Sequence, residues 1–305
     1  MIGWQASTVL VVGLLHCCSP EPTLNTLAGL SSVTVTEDLA YADGARHTLD
    51  VYRPARPGSA PIVVFLYGGA WRSGTKAMYR FIGTSLAEGG AVVVIPDYRL
   101  YPAVRFPGFM EDAARAVGWT HANAARFGGD PRRMFLVGHS AGAQIATLLA
   151  MDDEHLHAVQ LVPERDICGV VGLAGLYDFL PGTDEEVRQV FGPKANWARA
   201  QPGNFAAAHA PGMLLLAGSA DRTVDPRNTL QLAARLRAAG AGVRGELLWG
   251  ISHTAIIAAI APPLVFLAPV RERLLDFVAT RDCSDSRAVV APAAGQEATR
   301  RRVPG

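Results

Sequence analysis

A serine stands in a narrow turn in Gly138-His139-Ser140-Ala141-Gly142, which fits the pattern G-x-S-x-G. The apolar run Met134 to Val137 precedes it, and a segment of small residues that reaches Met151 follows it. A strand before this pattern and a helix after it form the strained turn that exposes a serine hydroxyl for nucleophilic attack. The alternative is an ordinary tight turn with an inert serine. The context predicts Ser140 as a nucleophile.

A serine hydroxyl attacks only when a base takes its proton, and an acid must orient that base. In this strand–turn–helix context the acid and a histidine are expected later in the chain, in that order, on loops after strands. Asp221 follows the apolar run "MLLLAG" and His253 follows "VRGELLW". Asp225 is the alternative acid, but it precedes Pro226 and better suits the start of a helix. For His253, the alternative is a buried structural histidine.

An attacked carbonyl develops negative charge on its oxygen, which backbone N–H groups can stabilise. The residue after the serine, Ala141, is one expected donor. The other comes from a loop after an earlier strand, and the glycine-rich stretch "FLYGGAWRSG" from Phe65 to Gly74 supplies such a loop. We predict Gly69 and Ala70 as the donors there; the alternative is a plain glycine turn.

The elements that must position these residues follow a regular pattern from Ser32 onward. "SVTVTEDLAY" and "HTLDVYRP" alternate like the strands of a hairpin that turns at Asp43-Gly44. Continuous apolar runs then alternate with helical segments, which indicates a parallel sheet covered on both faces. These strands lie at 61–67, 91–98, 134–137, 169–175, 213–218 and 243–249, and helices are expected at 76–88, 110–127, 228–239 and 270–280. The sequence therefore predicts an α/β fold whose doubly wound, mostly parallel sheet has antiparallel N-terminal strands.

Two segments depart from this rhythm. Residues 176–211 are long for a crossover, and we expect a small cap over the strand ends, where such sheets bind ligands. Residues 251–270 are apolar enough to suggest a membrane span, but Pro262-Pro263 interrupts them, so a buried helix beside the pocket is the better prediction. The domain prediction is a catalytic domain at 32–280, followed by a disordered tail at 281–305.

Composition and charge limit the partners. The chain has 28 Lys and Arg against 27 Asp and Glu, a net charge of +1, so it lacks the basic field expected of a nucleic-acid-binding protein. We expect a small-molecule substrate and no nucleic acid. His155 and His157 follow three acids, but no third ligand is identifiable and a solvated loop is the better interpretation. Arg99 is expected to pair with Asp112 or Glu111.

The N-terminus suggests export. Residues 1–18 contain an apolar run too short to span a bilayer and end in Cys17-Cys18, like a signal or bacterial lipoprotein segment, with a tether at 19–31. Lipidation of Cys17 or Cys18, simple secretion and an uncleaved apolar tail all remain open. The other cysteines, Cys168 and Cys283, have no C-x-x-C partner, so neither a disulfide framework nor a zinc site is expected.

Several spaced motifs together resemble one family. From Val33 to Ala279 the chain is similar to α/β-hydrolase esterases of the hormone-sensitive-lipase and kynurenine-formamidase type, and especially to exported bacterial carboxylesterase-like proteins. The resemblance is carried, in family order, by Gly68-Gly69-Ala70-Trp71, Asp97-Tyr98-Arg99-Leu100, the Ser140 motif, Tyr177-Asp178, Asp221 and His253. One departure is Tyr67, which stands where the family usually has histidine; it would either brace the loop or shape the acyl pocket.

The resemblance implies an α/β-hydrolase fold and a serine esterase that cleaves small acyl esters with Ser140, His253 and Asp221. It implies no metal or organic cofactor, and the oligomeric state stays open. An arylformamidase with the same triad is one alternative, and a non-catalytic binding or envelope scaffold is another. Four aromatic residues are expected either to line an apolar pocket or to belong to the core: Trp71, Phe106, Tyr177 and Trp197.

Overall fold

The computed structural model describes residues 21–28, 31–56, 58–182 and 185–283. Its centre is an eight-stranded sheet in the order β1-β2-β4-β3-β5-β6-β7-β8. The pairs β1/β2 and β2/β4 are antiparallel, and every other pair of neighbours is parallel. The strands are β1 Thr34–Ala40, β2 Thr48–Arg53, β3 Ala60–Leu66, β4 Val92–Pro96, β5 Gly129–His139, β6 Gly169–Leu173, β7 Gly212–Gly218 and β8 Val243–Leu248. This confirms the predicted α/β-hydrolase fold with its antiparallel start.

Helices cover both faces of this sheet. They are α1 Glu21–Ala28, α2 Arg80–Glu88, α3 Gly108–Asn123, α4 Ala141–Met151, α5 Asp153–His157, α6 Pro163–Asp166, α7 Glu185–Phe191, α8 Arg227–Ala239, α9 His253–Ala258 and α10 Val270–Thr280. Short 3₁₀ turns lie at Lys76–Tyr79, Ala124–Phe127, Lys194–Asn196, Pro202–Phe205 and Pro262–Leu267. Because strands β4, β6 and β7 are buried at every position, their sequences read as continuous apolar runs.

The cap and the apolar segment 251–270 both contain short elements. Between β6 and β7 lie α7 and two 3₁₀ turns, and Gln201 Oε1 joins the end of this segment to its start by accepting from the N–H groups of Phe179 and Leu180 at 2.8 Å. In 251–270 the predicted buried helix is present as α9, which is six residues long and buries Ile256, Ile257 and Ala258, and a 3₁₀ turn begins at Pro262. The prolines end the helix because they lack the N–H that its next turn needs. Across the described ranges, no helix is long and apolar enough to cross a bilayer.

The N-terminal tether region contains helix α1, which packs against α2. Leu24 is buried there, and Asn25 Nδ2 donates to the carbonyl of Ala77 at 2.9 Å. The predicted signal segment, with Cys17 and Cys18, lies outside the described residues. Of the predicted tail, 281–283 are described and the remainder is not.

Cys168 and Cys283 form a disulfide, so the expectation of no disulfide framework was wrong. They are 115 residues apart in sequence, and their Cα atoms lie 4.9 Å apart. Cys168 immediately precedes β6 and Cys283 follows α10, and the fold brings these two ends together. A rule based on local cysteine spacing cannot find a pair that only the tertiary structure creates.

Candidate active site

Ser140 occupies a strained turn between β5 and α4. Its φ of 55° and ψ of −120° are unusual for a residue with a side chain, and its N–H donates to the carbonyl of Leu173 at 2.9 Å. The flanking glycines are required by close contacts. A Cβ on Gly138 would lie 2.2 Å from the carbonyl oxygen of Gly142, and one on Gly142 would lie 2.0 Å from that of Leu66. The turn therefore has the geometry that G-x-S-x-G predicted.

Asp221 and His253 form the next part of the site. Asp221 Oδ2 lies 2.8 Å from His253 Nδ1, and Asp221 Oδ1 accepts the N–H groups of Thr223 and Val224, each at 2.9 Å. Burial of the Asp221 carboxyl opposes ionisation, but the hydrogen bonds from His253 and Val224 outweigh it and lower its pKa. An ionised Asp221 holds the proton of His253 on Nδ1, which leaves Nε2 free to accept another proton.

His139 connects this pair to the serine turn. Its Nε2 lies 3.1 Å from the backbone oxygen of His253, and the two imidazole rings are 4.8 Å apart between centroids. Burial and the neighbouring His253 lower the pKa of His139 to about 3, so it is neutral and donates from Nε2. His139 thus places the His253 backbone beside Ser140. This role of His139 was not predicted from the sequence, although its position next to Ser140 was a signal for it.

The hydroxyl of Ser140 makes no hydrogen bond to the residues that the structure describes. Catalytic hydrogen bonds are often long or poorly aligned before substrate binds, so this is compatible with proton transfer to His253. The Ser140 residue is 8% exposed, which leaves a small opening for a reacting group.

The loop after β3 lies against the serine turn. A Cβ on Gly68 would be 3.0 Å from Ser140 Cβ, and the φ angles of Gly69, Ala70 and Trp71 are 124°, 52° and 58°. The carbonyl of Gly69 accepts the N–H groups of Arg72 and Ser73, each at 3.0 Å, which closes the loop into a tight turn.

Ala141 is the first residue of α4, where backbone N–H groups have no partner within the helix. Gly69 and Ala70 lie on the loop that meets the serine turn, so the structure brings the three predicted donor residues to the two segments in contact there. Their role as an oxyanion hole stays a prediction.

Tyr67 braces the loop after β3 through its hydroxyl and its ring. Its hydroxyl donates to Asp97 Oδ1 at 2.7 Å and accepts from Arg46 Nη2 at 2.8 Å. Arg46 Nη2 also donates to the carbonyl of Gly74, so one guanidinium holds both ends of the loop. The ring stacks on Tyr98 with centroids 4.6 Å apart. Of the two roles that the sequence left open for Tyr67, the structure shows the bracing contacts.

The four aromatic residues predicted for a pocket have different surroundings. Trp71 packs against Phe179 and Phe191, and Phe106 and Tyr177 are also buried in the main core. Trp197 is half-buried and lines a cavity of about 310 Å³ beside Arg105 and α7. Their contact with substrate stays a prediction.

The remaining sequence candidates have structural contacts. Arg99 forms a two-pronged ion pair with Asp112, as expected, through Nε and Nη2 at 2.8 Å each. Asp225 accepts from the N–H and the guanidinium of Arg227 at the start of α8. The expected solvated loop at His155 and His157 was wrong: the segment is helix α5, and His155 is buried and packs edge-on against Phe106. Among the residues with described positions, no group of three His, Cys, Asp or Glu is arranged to hold a metal ion.

Comparisons with known proteins agree with this fold. An isoprenylcysteine α-carbonyl methylesterase, ICME, from Arabidopsis thaliana is 31% identical over 73% of this chain and 57% of its own length. Esterase LipC from Mycobacterium tuberculosis is 32% identical over 70% of this chain and 58% of its own length. The chain therefore spans little more than half the length of these relatives.

Solved structures support the fold alone. A truncated carbohydrate esterase from gut microbiota superposes with a TM-score of 0.70 at 21% identity, covering 81% of this chain and 96% of that one. Esterase B from Lactobacillus rhamnosis also gives 0.70, at 17% identity, covering 92% of this chain and 99% of that one. The BD-FAE family matches residues 49–236, a span that contains Ser140 and Asp221. The chain thus belongs to the BD-FAE family of hormone-sensitive-lipase-like α/β-hydrolases.

Proposed function

We propose that the protein is a serine carboxylesterase that cleaves small acyl esters. The observation that carries this proposal is the Asp221–His253 hydrogen bond of 2.8 Å held directly beside the serine turn by His139. The names of the relatives, which are esterases and a methylesterase, support the ester as the substrate class.

In the proposed reaction His253 Nε2 takes the Ser140 proton as Oγ attacks the ester carbonyl. Asp221 stabilises the imidazolium that forms, and N–H groups from Gly69, Ala70 and Ala141 stabilise the oxyanion. His253 then gives its proton to the leaving alcohol, which leaves an acyl group on Ser140. Water activated by the same imidazole attacks this acyl-enzyme and releases the carboxylic acid.

The test is Ser140→Ala, assayed with short p-nitrophenyl esters and a fluorophosphonate probe. We expect turnover to fall on the order of 10⁴-fold and probe labelling to disappear, because the oxyanion donors cannot replace the attack. Ser31→Ala, at an exposed hydroxyl bonded to Glu88, is the matched control and should leave both unchanged. Activity of Ser140→Ala within tenfold of the parent would refute the assignment. Faster turnover of aryl formamides than of esters would assign the site to amide cleavage instead.

We also propose that the protein is exported and anchored through Cys17 or Cys18. The Cys168–Cys283 disulfide supports export, because disulfides persist in oxidising compartments and are rare in the cytosol. Cys17→Ser combined with Cys18→Ser should abolish labelling by a clickable palmitate analogue, move the protein from the membrane pellet to the soluble fraction and leave esterase activity unchanged. A parent protein that is already soluble and unlabelled would contradict the anchor and favour simple secretion.

A further inference from the structure

Gln144 makes contacts with three parts of the site at once. It lies one turn into α4, and its side chain is fully buried. Its Oε1 accepts from Trp71 Nε1 at 3.0 Å, and its Nε2 donates to the carbonyl of Ala200 at 2.9 Å. Its backbone N–H donates to the carbonyl of Ser140 at 3.3 Å. One amide thus joins the serine turn, the loop after β3 and the cap.

The loop that Gln144 holds has an unfavourable backbone. Ala70 and Trp71 are consecutive residues with φ of 52° and 58°, a region that residues with side chains rarely occupy. Such conformations are unfavourable and persist only where surrounding contacts fix them. Trp71 O accepts from Tyr101 at 2.9 Å, and among the residues with described positions the other polar contact of Trp71 is the one to Gln144.

The cap packs on the same indole ring. Phe179 stacks on Trp71 with centroids 5.6 Å apart, and Phe191 meets it edge-on at 4.7 Å. Apolar packing of this kind tolerates small sliding movements because it has little directionality. The two hydrogen bonds of Gln144 are directional, so they fix the position of the indole along the helix and the distance between the helix and Ala200.

We propose that Gln144 is a positioning residue that sets the oxyanion loop against the nucleophile and couples both to the cap. This inference rests on the proposed esterase function. The developing oxyanion requires donors about 2.7–3.1 Å from its position, so a small displacement of Gly69 and Ala70 weakens the transition state more than the bound ester. The effect of losing Gln144 therefore falls on kcat.

The first experiment is Gln144→Leu, which keeps the approximate volume and removes both hydrogen bonds. Removal of a whole oxyanion donor costs on the order of 10²–10³ in kcat, so misplacement should cost on the order of 10–100-fold, with KM changed by less than about threefold. Active serines are counted with a fluorophosphonate so that kcat refers to folded enzyme alone. Affinity for a trifluoromethyl ketone, which forms a hemiketal oxyanion on the serine, should fall by the same factor as kcat/KM.

Thr147→Val is the matched control. Thr147 is fully buried on the same helix, one turn further from Ser140, and the substitution also removes a buried polar atom. Its kcat per active serine should stay within about twofold of the parent. A loss as large as that of Gln144→Leu would show that any polar deletion in this helix disturbs the site, and would overturn the specific role of Gln144.

Gln144→Glu gives a readout that general loss of packing would not. A protonated carboxyl can accept from Trp71 Nε1 and donate to Ala200 O, whereas the carboxylate can only accept. Burial raises the pKa of such a carboxyl toward neutral pH. The ratio of variant to parent kcat should therefore rise at least fivefold between pH 9 and pH 6, while the ratio for Gln144→Leu stays flat. A flat ratio for both variants would refute the hydrogen-bond mechanism.

Trp71→Phe completes the test, because it removes the N–H that Gln144 accepts. If Gln144 acts through Trp71, the double variant with Gln144→Leu should lose about as much kcat as the more damaged single variant. Multiplicative losses would overturn the coupling, and so would kcat per active serine within twofold of the parent for Gln144→Leu. Should Gln144→Leu not fold, Gln144→Glu and Trp71→Phe still decide. A parent that labels at a residue other than Ser140 would instead refute the proposed function.

Discussion

Replacing Asp221 by asparagine tests which nitrogen of His253 carries the proton. The two oxygens of the Asp221 carboxylate have different partners. Oδ2 lies 2.8 Å from His253 Nδ1, and Oδ1 accepts hydrogen bonds from the N–H groups of Thr223 and Val224 at 2.9 Å. In Asp221→Asn the new amide oxygen must stay with these two N–H groups. The amide NH₂ therefore faces His253 Nδ1.

The opposite orientation of that amide is unfavourable. It would place the NH₂ group opposite two backbone N–H donors and leave both donors without an acceptor. This costs about 1–3 kcal/mol for each buried group. His253 adapts instead by moving its proton to Nε2, and this tautomer cannot accept a proton from Ser140. The same change of tautomer in a serine protease lowers kcat about 10⁴-fold, which corresponds to about 5 kcal/mol of transition-state stabilisation.

The assay is steady-state hydrolysis of a short p-nitrophenyl ester, with kcat and KM determined separately. We expect Asp221→Asn to lose on the order of 10³–10⁴ in kcat with a small change in KM, because ester binding does not use the base. Nitrogen-15 NMR of His253 should show the proton on Nδ1 in the parent and on Nε2 in the variant.

Asp225→Asn is the control, since this carboxylate lies on the exposed side of the same loop and pairs with Arg227. It should change kcat by less than about threefold. If Asp225→Asn were the more damaging substitution, or if Asp221→Asn kept kcat within tenfold, the assignment of the orienting acid would be wrong.

Three further changes test the fold around the site. Replacing Cys168 and Cys283 by serine should lower the free energy of unfolding in urea by up to about 5 kcal/mol, as expected for a link spanning 115 residues. The parent protein in reductant should show the same lowered free energy of unfolding. Burial of Asp112 opposes its ionisation, but the hydrogen bonds from Arg99 outweigh this effect and lower its pKa. The ionised carboxylate therefore stabilises the folded protein above about pH 4, and this stabilisation is lost in stronger acid. The difference in unfolding free energy between the parent and Asp112→Asn should narrow as the pH falls below about 4. Gly142→Ala should abolish esterase activity and lower Tm, because its Cβ would lie 2.0 Å from a backbone oxygen.

The sheet and the arrangement of the three candidate site residues were predictable because both depend on local patterns. Strands buried on both faces produce apolar runs in the sequence, and β4 and β7 are such strands at every position. The turn at Ser140 needs glycine at fixed offsets because its backbone leaves no room for Cβ atoms. Asp221 and His253 each follow the carboxyl end of a parallel strand, so the sequence indicated that both lie at the same edge of the sheet.

The contacts that were not predictable join residues far apart in sequence. Cys168 lies beside Cys283 because α10 packs against the sheet, and local cysteine spacing does not indicate this contact. The helix α1 formed in the expected tether because Leu24 finds an apolar site and Asn25 finds backbone partners on a segment more than 50 residues later. Propensity alone gives little support to an eight-residue helix, so this element depends on tertiary contacts.

The contacts of polar side chains inside the site were also not predictable from the sequence. In the sequence, Gln144 looks like one polar residue in a helix of small apolar ones, and Tyr67 looks like a departure from the family histidine. Buried polar groups must find partners because leaving them unpaired is costly, but sequence does not identify the partners. Here the partners belong to one loop: Arg46 contacts Tyr67 and Gly74 at its two ends, and Gln144 contacts Trp71 near its middle. The strained backbone of that loop accounts for the number of side chains that fix it.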